Sequence, residues 1–491
     1  MTSKKNNNSR WVLPKLMVFC VLLIFSSQLT FCQKTITKEE FKKDLYLAKK
    51  NIEKYHLGLY YYESKQEFES RYKAIIENLP EKLSILEAYR LTNEFTGGMK
   101  DLHTSTVLPK NFIEKKDRKS LPLTIRKVGE KFYIHYNMSS DSSLNRGFEV
   151  ISIDGVSINK NFESFQNLWG TDNGNETSKK YYAERLFARN YNYVYGLKDS
   201  VEVVYKKPHN DSVFVKKIAF ETPKEATKIL NKRYKNVSRK NLNFKILDSL
   251  NHIAYLDVLS FKEKGNKFDF PQHRFKKLIK KHFKAIEKNE IEHLIVDFRF
   301  NGGGLINNVS RITKYVAPEP FEIIDTSYIK KASFLKIFPP YLILPYIAGR
   351  FVFKKLNEET FIRVGSKSKK TKIAKKYHYA KKIYVLMDGG SYSATTFTIG
   401  LWKDMNRAIF IGMQPGGANW GSFAGQWKDI KLPNSKLKVH IPLMKIIHAQ
   451  PNKTTRTFFV EPDYYVEQSF DDFIKRKDAQ LNFALDLIKN K

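Results

Sequence analysis

Met387–Phe397 reads MDGGSYSATTF and joins an apolar segment to a helical pattern through two glycines and two serines. The apolar residues Lys382–Met387 before it predict a buried strand, and Ala394–Lys403 after it predict a helix. A serine at such a turn lies at a helix N-terminus, where a neighbouring backbone N–H can stabilise an oxyanion. An isolated serine there is usually a helix cap. Ser391 and Ser393 become candidate nucleophiles only together with the glycines before them.

A second stretch of the same kind is Asp297–Ile306, DFRFNGGGLI, which follows the predicted buried strand His293–Phe298. Its three glycines let backbone N–H groups approach one point, and the helix that follows adds a positive field at its N-terminus. An oxyanion or a phosphate could be held there, although the spacing fits neither GxGxxG nor a P-loop. We expect Asp297 and Arg299 to pair as a structural clamp at the end of the strand.

From about residue 246 onward, strands and helices alternate, which predicts parallel βαβ units. The pattern predicts strands at Ile253–Val258, His293–Phe298, Lys382–Met387 and Ala408–Gly412, a basic amphipathic helix at Phe270–Lys288, and a helix at Leu305–Val316. Added antiparallel strands are expected at 426–443 and a closing helix at 470–489. The sequence therefore predicts an α/β core over residues 246–491.

The residues before the core divide into three parts. Residues 33–118 form an N-terminal helical domain in which Thr37 with Glu40 and Ser84 with Glu87 are capping boxes, and the last helix should stop at Gly97–Gly98. Residues 119–220 show short strand patterns and predict a β-rich domain. Residues 221–245 predict a charged linker helix.

Within the β-rich part, Arg146–Ile158 reads RGFEVISIDGVSI, with a tight-turn signal at Asp154–Gly155. This stretch resembles the strand and turn of a PDZ domain. PDZ domains bind extended peptides by strand addition, so the resemblance implies peptide binding. The alternative is a structural β-rich insert.

The N-terminus is typical of a targeting segment. Residues 1–15 carry four basic and no acidic side chains, and Leu16–Phe25 is an apolar run. We expect a signal peptide, 1–32, cleaved near Cys32, and an exported protein of the periplasm or cell envelope. The run is short for an uncleaved anchor, and Phe31 disfavours a lipid anchor at Cys32. Since Cys20 is the only other cysteine, the exported chain would have no disulfide and no cysteine nucleophile.

Charge alone does not identify a partner. The 491 residues contain 86 Lys and Arg against 50 Asp and Glu, a formal charge of +36. Such a charge is common in proteins that bind nucleic acid. Here the lysines are scattered and no nucleic-acid-binding motif occurs, so we expect no nucleic-acid partner. Solvated lysine-rich faces are favoured, with a weak attraction to membrane surfaces second.

Residues 332–356 read ASFLKIFPPYLILPYIAGRFVFKKL, an apolar insert in the core. Pro339, Pro340 and Pro345 rule out a regular membrane-spanning helix. We favour a hydrophobic loop packed on the core. The alternatives are a lid over an apolar cleft and a patch that contacts a membrane surface.

A base for the serine is available in KDLHTSTV, since His103 follows directly after the last N-terminal helix. Glu461 and Asp463, in FVEPDYYVEQSFDDF, are candidates to orient the histidine. Either carboxylate could equally be an ordinary surface group. No metal or cofactor is implied by these residues.

The order DxRxNGGG, GGSxSA, a strand with a glycine loop, and EPDYYV resembles the tail-specific (C-terminal-processing) protease family. The resemblance implies a helical N-terminal part, a PDZ-like domain and a crotonase-like βαβ core, in this order. By this match Ser393 is the nucleophile, while Gly303, with Gly304 as alternate, and Ala394 supply the oxyanion N–H groups. Asn301 belongs to the same motif and has a structural role.

The resemblance also bears on the base. The best-known members use a lysine after the strand that follows the nucleophile helix, but no lysine occurs between Asp404 and Trp427, and Ala418 or a neighbour stands in its place. A branch similar to the tricorn protease core uses histidine from a DxHT motif, which Asp101–Thr104 matches. This implies a Ser–His mechanism with His103 as base, and Asp101 joins the candidate orienting acids.

The implied activity is that of an exported serine endopeptidase that cleaves peptides or unfolded protein tails without a cofactor. The branch places a serine beside the histidine, where this chain has Leu102, and many members have glutamate where it has Thr396. The alternative is a catalytically weak or inactive relative that binds lipids or peptides in an apolar cleft.

Overall fold

The computed structural model describes residues 35–109, 119–234, 237, 239–263, 271–364, 370–450 and 457–490. The expected signal peptide, with Cys20 and Cys32, lies outside these residues. Within this part of the chain, no helix is both long enough and apolar enough to cross a membrane.

The N-terminal unit is helical, as predicted. Its elements are β1 (Thr35–Thr37), α1 (Lys38–Tyr55), α2 (Lys65–Glu77), β2 (Lys82–Ser84), α3 (Ile85–Gly97) and β3 (Ser105–Val107). Both predicted capping boxes are confirmed. The side chains of Thr37 and Ser84 each accept the backbone N–H of the N3 residue, and the N3 glutamate side chain accepts the backbone N–H of Thr37 or Ser84 in return. The predicted end of α3 is confirmed at Gly97.

The middle unit combines a sheet with helices. It contains β4 (Leu123–Val128), β5 (Lys131–Asn137), β6 (Glu149–Ile153), β7 (Val156–Ser157), α4 (Ile158–Gln166), α5 (Glu176–Arg185), α6 (Phe187–Tyr195), β8 (Ser200–Lys206), β9 (Val213–Ala219) and α7 (Pro223–Arg233). The strands form an antiparallel sheet in the order β4-β5-β6-β8-β9, and β7 pairs with β6. The prediction of a β-rich unit missed α4, α5 and α6, which pack on the sheet and complete its core.

The core unit contains the remaining elements. They are β10 (Asn243–Asp248), β11 (Ile253–Asp257), α8 (Pro271–Lys288), β12 (His293–Asp297), α9 (Ile306–Thr313), β13 (Ile324–Lys330), α10 (Lys331–Ile337), α11 (Ile343–Val352), β14 (Phe353–Lys355), β15 (Thr360–Arg363), β16 (Lys382–Met387), α12 (Ala394–Asp404), β17 (Ile409–Gly412), β18 (Gly421–Lys431), β19 (Lys438–His448), β20 (Tyr464–Tyr465), α13 (Phe470–Lys475) and α14 (Ala479–Lys489).

The central sheet of the core has the order β10-β11-β12-β16-β17-β20. β11, β12, β16, β17 and β20 are parallel, and β10 is an antiparallel edge strand. The predicted βαβ units are therefore confirmed, and the fold class is mixed α/β. The expected closing helix is broken into α13 and α14, with Arg476 in the left-handed region between them.

A second sheet, ordered β14-β15-β13-β19-β18, connects the core to the N-terminal unit. The long hairpin of β18 and β19 confirms the predicted antiparallel tail. Ile430, Val439 and Ile441 from this hairpin share one hydrophobic cluster with the side chains of α1 and α3. The N-terminal helices thus complete their core with residues more than 300 positions later in the chain.

The insert 332–356 differs from the favoured prediction of a packed loop. It forms α10, α11 and β14, and many of its large apolar side chains are exposed. Pro339 and Pro340 lie between the two helices, where the absence of an N–H group does no harm to either. The apolar composition of the insert favours a packed loop because burial is the usual fate of such residues.

Candidate active site

Ser393 is the N-cap residue of α12, at the turn where the parallel strand β16 passes into the helix. Its backbone has φ 59° and ψ −126°, a conformation that costs a non-glycine residue energy and projects the side chain out of the turn. Ser391 is fully buried, and its hydroxyl donates to the Phe298 carbonyl at 2.9 Å. The two candidate serines therefore have different roles: the Ser391 hydroxyl is used within the turn, and the Ser393 hydroxyl is available to a partner outside it.

His103 reaches this turn from the N-terminal unit. It lies between the end of α3 and β3, and β3 is fixed by antiparallel pairing of Ser105 with His440 of β19. His103 Nε2 lies 3.1 Å from Ser393 Oγ, although 290 positions separate them in the chain. In the tautomer that carries its proton on Nδ1, His103 accepts the hydrogen bond of the Ser393 hydroxyl.

Asp101 is the carboxylate beside His103. It is buried, its Oδ1 accepts the His103 backbone N–H at 3.1 Å, and its Oδ2 accepts the Thr104 hydroxyl at 2.5 Å. His56 Nε2 lies 3.0 Å from the same Oδ2, and the Gly58 N–H donates to His56 Nδ1, so His56 donates to Asp101. The carboxylate is thus held rigidly at the end of a chain of hydrogen bonds.

The contact between Asp101 and the His103 ring is electrostatic. Asp101 Oδ1 lies 4.0 Å from His103 Nδ1, which has no hydrogen-bond partner in the described part of the chain. Burial lowers the pKa of His103, and the Asp101 charge opposes this. Burial would raise the pKa of Asp101, but the hydrogen bond from His56 and the neighbouring contacts hold that pKa below its ordinary value. A neutral imidazole next to a permanent carboxylate suits a general base.

Asp172, from the middle unit, completes the polar floor of the site. Its two carboxylate oxygens accept the Leu102 N–H and the Ala418 N–H, each at 3.0 Å. Burial, together with the charge of Asp101, raises the pKa of Asp172 to about 7, although the two N–H groups act in the opposite direction. The residue therefore ties the His103 loop to the loop after β17.

The expected oxyanion donors lie together, with one correction. An added Cβ on Gly303 would lie 2.9 Å from both the Ala394 nitrogen and Ser393 Cβ, so the two loops are in close contact. However, the Gly303 N–H already donates to Asn301 Oδ1 at 2.9 Å, which makes Gly303 the wrong donor. Among the described residues, the N–H groups of Gly304 and Ala394 have no acceptor. These two amides remain available to an oxyanion.

The remaining residues of the glycine-loop motif support its shape. Arg299 donates to Asp297 Oδ1 at 3.0 Å and Oδ2 at 2.7 Å, and its other contacts are two 2.7 Å bonds to Asp478 at the start of α14. Asp297 is fully buried and also contacts Arg239 at 3.1 Å. Asn301 Nδ2 donates to the Val258 carbonyl at 2.7 Å. The clamp fixes the loop but contributes no group to the reaction.

Glu461 and Asp463 are wrong as orienting acids. Glu461 accepts a hydrogen bond from Gln414 at 2.7 Å, and Asp463 pairs with Lys403 and accepts the Phe410 N–H at 2.8 Å. Neither carboxylate contacts His103. Glu461 and Asp463 became candidates because they lie in the family-motif segment EPDYYV, whereas Asp101 lies only two positions before the histidine.

Ala418 or a neighbour stands where the best-known members of the family have the lysine base. Ala418 is buried and its N–H is used by Asp172. Thr396, on the first turn of α12, is buried and donates to the Ser391 carbonyl at 3.2 Å. In this conformation His103 is the group in contact with the Ser393 hydroxyl.

Asp101, His103 and Asp172 bring ligand-type atoms within 4.8 Å of one another. Each of the four carboxylate oxygens already accepts at least one N–H or O–H from the protein. A metal ion would have to displace these bonds. The donor set is therefore better matched to holding the histidine and its loop than to binding a cation.

The comparisons with known proteins agree with this geometry. The model described as "Peptidase family S41" matches residues 252–466, which include Ser393 and the glycine loop. The core of this chain belongs to peptidase family S41. The protein is thus a serine peptidase of the tail-specific type, a hydrolase. A search of curated protein sequences gives no match.

Two solved structures share the fold of this S41 peptidase over nearly its whole length. Mature CPAF complexed with lactacystin is 13% identical to this chain, with a TM-score of 0.64. The match covers 92% of this chain and 98% of the CPAF chain. Mature CPAF is 14% identical, covers 92% of this chain and 97% of that chain, and has a TM-score of 0.63. At this identity the likeness shows the fold alone.

Sequence reasoning missed two residues of the peptidase site. His56 follows α1 and Asp172 lies in a loop of the middle unit, and both reach the site only through tertiary contacts. Neither lies in a motif that predicts catalysis. Their signal is in the structure, as buried polar side chains whose partners belong to a different unit.

Proposed function

We propose that the protein is an exported serine endopeptidase that cleaves peptides or unfolded protein tails, with Ser393 as nucleophile and His103 as general base. The observation that carries the proposal is the 3.1 Å contact between His103 Nε2 of the N-terminal unit and Ser393 Oγ of the core unit. The strained backbone of Ser393 and the unused amides of Gly304 and Ala394 support it.

The chemistry follows from these positions. Ser393 Oγ attacks the carbonyl carbon of a peptide bond as its proton passes to His103 Nε2, and the carbonyl oxygen becomes an oxyanion between the Gly304 and Ala394 N–H groups. The tetrahedral intermediate then collapses, and the C–N bond breaks as the amine takes the proton from His103. Water, activated by His103, releases the acyl group from Ser393 in the same way. Asp101 stabilises the imidazolium that forms in both steps.

The partner in this proposal is a peptide or protein segment in an extended conformation. Peptide binding by the middle unit as a PDZ-like domain belongs to the same proposal. Its sheet has β9 at one edge, and Val213 and Val215 of that strand are exposed. An unpaired edge with apolar side chains can accept a further strand. No cofactor is required.

Export rests on the sequence of residues 1–32, whose basic start and apolar run support a cleaved signal peptide. The protein would then act in the periplasm or cell envelope, where the apolar insert 332–356 could contact a membrane surface. Mass determination of the N-terminal peptide from the protein isolated after secretion tests this. An intact N-terminus or a lipid on Cys32 would refute cleavage near that residue.

A fluorophosphonate probe tests the nucleophile directly. We expect labelling of the wild type and of Ser164→Ala, a matched serine on α4, and no labelling of Ser393→Ala. Hydrolysis of a denatured protein substrate should follow the same order. Ser393→Ala should keep the wild-type circular dichroism spectrum, since the removed hydroxyl has no role in the core.

Two results would refute the proposal. One is continued cleavage by purified Ser393→Ala. The other is a folded wild type that neither reacts with the probe nor cleaves any denatured substrate, which would instead support a binding protein on the same scaffold.

A further inference from the structure

The helices α10 and α11, with β14, form a hairpin over residues 331–356 that presents apolar side chains to solvent. Tyr341 is 82% exposed, Leu344 79% and Phe351 77%. The other large apolar side chains exposed on the hairpin are Leu335, Leu342, Ile343, Ile347, Val352 and Leu356. Exposed apolar surface of this extent on a folded protein usually marks an interaction site.

The hairpin is anchored on its inner face. Phe334, Phe353 and Phe361 are buried together in a separate hydrophobic cluster, with Phe338 packed against them. An added Cβ on Gly349 would lie 2.6 Å from the Phe338 ring, so the glycine is what lets α11 approach the rest of the hairpin. The base of the hairpin is therefore packed by these buried aromatic side chains, and the exposed apolar side chains are not needed for that packing.

Contacts to the N-terminal unit fix the base as well. Lys330 Nζ donates to the Glu53 carbonyl at 2.6 Å, and the Ser333 hydroxyl donates to the Tyr55 carbonyl at 3.2 Å. Both acceptors are at the C-terminal end of α1, where unpaired carbonyls attract cations and donors. The base of the hairpin is thus attached to the N-terminal unit.

The charge of the hairpin indicates what kind of partner would cover its exposed apolar side chains. Residues 331–356 contain Lys331, Lys336, Arg350, Lys354 and Lys355 and no acidic residue. Apolar side chains interleaved with lysine and arginine are typical of helices that lie in the interface of a bilayer with anionic headgroups. We propose that the hairpin 331–356 docks this protein on a membrane surface that carries anionic phospholipid.

This occupant fits better than a second copy of the chain. A symmetric dimer through the hairpin would place the cations Lys331, Lys336, Arg350 and Lys354 opposite their own copies, and no carboxylate of the segment could compensate them; the fifth, Lys355, pairs with Glu358. At ten residues, α11 has half the length that a spanning helix requires. The chemistry therefore favours a helix lying in the headgroup region, with its apolar side chains inserted and its cations at the phosphates.

The hairpin and His103 are attached to different strands of the second sheet. The hairpin leaves the second sheet at the edge formed by β14 and β15, whereas His103 enters through β3, which pairs with residues 438–440 of β19. The inference rests on the proposed function, since it makes the enzyme a peptidase held at an envelope membrane. Substrates close to the bilayer would then be the ones it meets.

Vesicle flotation tests the proposal on the chain from Gln33 onward, which contains every described element. We expect the wild type to float with vesicles of phosphatidylcholine containing about one third phosphatidylglycerol, and to float at least tenfold less with phosphatidylcholine alone or at high salt. The triple variant Tyr341→Ser, Leu344→Ser and Phe351→Ser should lose at least tenfold of the binding. The control Leu250→Ser, at a side chain that is 90% exposed between β10 and β11, should bind as the wild type does.

A charge variant, Lys336→Glu with Lys354→Glu, should also bind at least tenfold less, and its circular dichroism should be unchanged because both side chains are exposed. Equal binding to neutral and anionic vesicles would overturn the proposal. So would a concentration-dependent dimer that fails to bind vesicles and that the triple variant abolishes.

The inactive Ser393→Ala protein separates the two proposals, because it should float like the wild type. Vesicle binding without any probe labelling would refute the peptidase and leave the docking surface standing. Labelling without vesicle binding would do the reverse.

Discussion

Replacing Asp101 by asparagine removes the charge next to the base while keeping its size. Asp101 Oδ1 lies 4.0 Å from His103 Nδ1. Two unit charges at this distance interact by about 4 kcal/mol at an effective dielectric constant of about 20. The interaction exists only when His103 is protonated, as it is during attack and collapse, so it lowers the barrier and does little for the ground state. We therefore expect kcat/KM to fall by roughly 10²–10³-fold.

The pH profile gives the sign. Activity requires neutral His103, so kcat/KM rises with pH through the His103 pKa, which burial holds below its ordinary value while Asp101 raises it. Without the carboxylate this opposing effect is gone, and the pKa falls further. The acidic limb of the profile should therefore shift to lower pH in Asp101→Asn, even as the maximum rate drops. A limb that moves to higher pH would contradict the argument.

Asp44→Asn controls for the cost of neutralising a buried carboxylate. Asp44 is fully buried in α1 and accepts the Ser435 N–H at 2.7 Å and the Ser435 hydroxyl at 2.6 Å, with no contact to the active site. Peptide hydrolysis is measured per folded molecule, with the folded fraction taken from urea unfolding of each variant. The reasoning is refuted if Asp101→Asn keeps more than a fifth of the wild-type rate, or if Asp44→Asn loses as much.

Three further predictions test the surroundings of the site. Gly303→Ala, at φ 86° and with a Cβ 2.9 Å from Ser393 Cβ, should lower kcat/KM by at least about 100-fold, whereas Gly129→Ala, at φ 57° in open space, should cost only about 1 kcal/mol of stability and no activity. The pKa of Asp172 is raised to about 7, so its ionisation destabilises the fold as pH rises from about 4 to about 7. Between pH 5 and pH 8, urea unfolding should show Asp172→Asn gaining about 2–3 kcal/mol relative to the wild type, and an unchanged difference would exclude the raised pKa. Arg299→Leu removes both guanidinium hydrogen bonds to the buried Asp297, which keeps only the Arg239 contact as an ion pair, and should cost about 3 kcal/mol in the same assay; a loss below about 1 kcal/mol would contradict the clamp.

Local patterns predicted the elements well because their causes are local. The capping boxes at Thr37 and Ser84 involve residues three positions apart, and the strands of the central sheet are continuous apolar runs buried on both faces. The prediction missed α4 and α6 because they are short, at nine residues each, and α5 because its apolar pattern is weak. The sequence of α5, ETSKKYYAER, has few apolar residues. Polar contacts hold this helix in place, such as the hydrogen bond that the Ser178 hydroxyl donates to the Gly389 carbonyl at 2.9 Å.

The meeting of His103 with Ser393 could be expected only through the family resemblance. No local rule relates residues 290 positions apart. The contact depends on β3 pairing with β19 and on the hairpin of β18 and β19 completing the hydrophobic core of the N-terminal helices. Each of these is a long-range packing event whose partners are chosen by the whole fold.

Among the three candidate orienting acids, Asp101 is the one that a local argument supports. In Asp101-Leu-His-Thr, the carboxylate accepts the N–H of residue i+2 and the hydroxyl of residue i+3, the turn that aspartate commonly forms with its own backbone. This turn alone places the charge near the His103 ring, so the local pattern favours Asp101 over Glu461 and Asp463 as the orienting acid. Its fixed position, however, also depends on His56, 45 positions earlier, which donates to Oδ2, the oxygen that accepts the Thr104 hydroxyl. The acid was therefore within reach of the sequence, whereas the histidine that keeps it ionised and immobile was not.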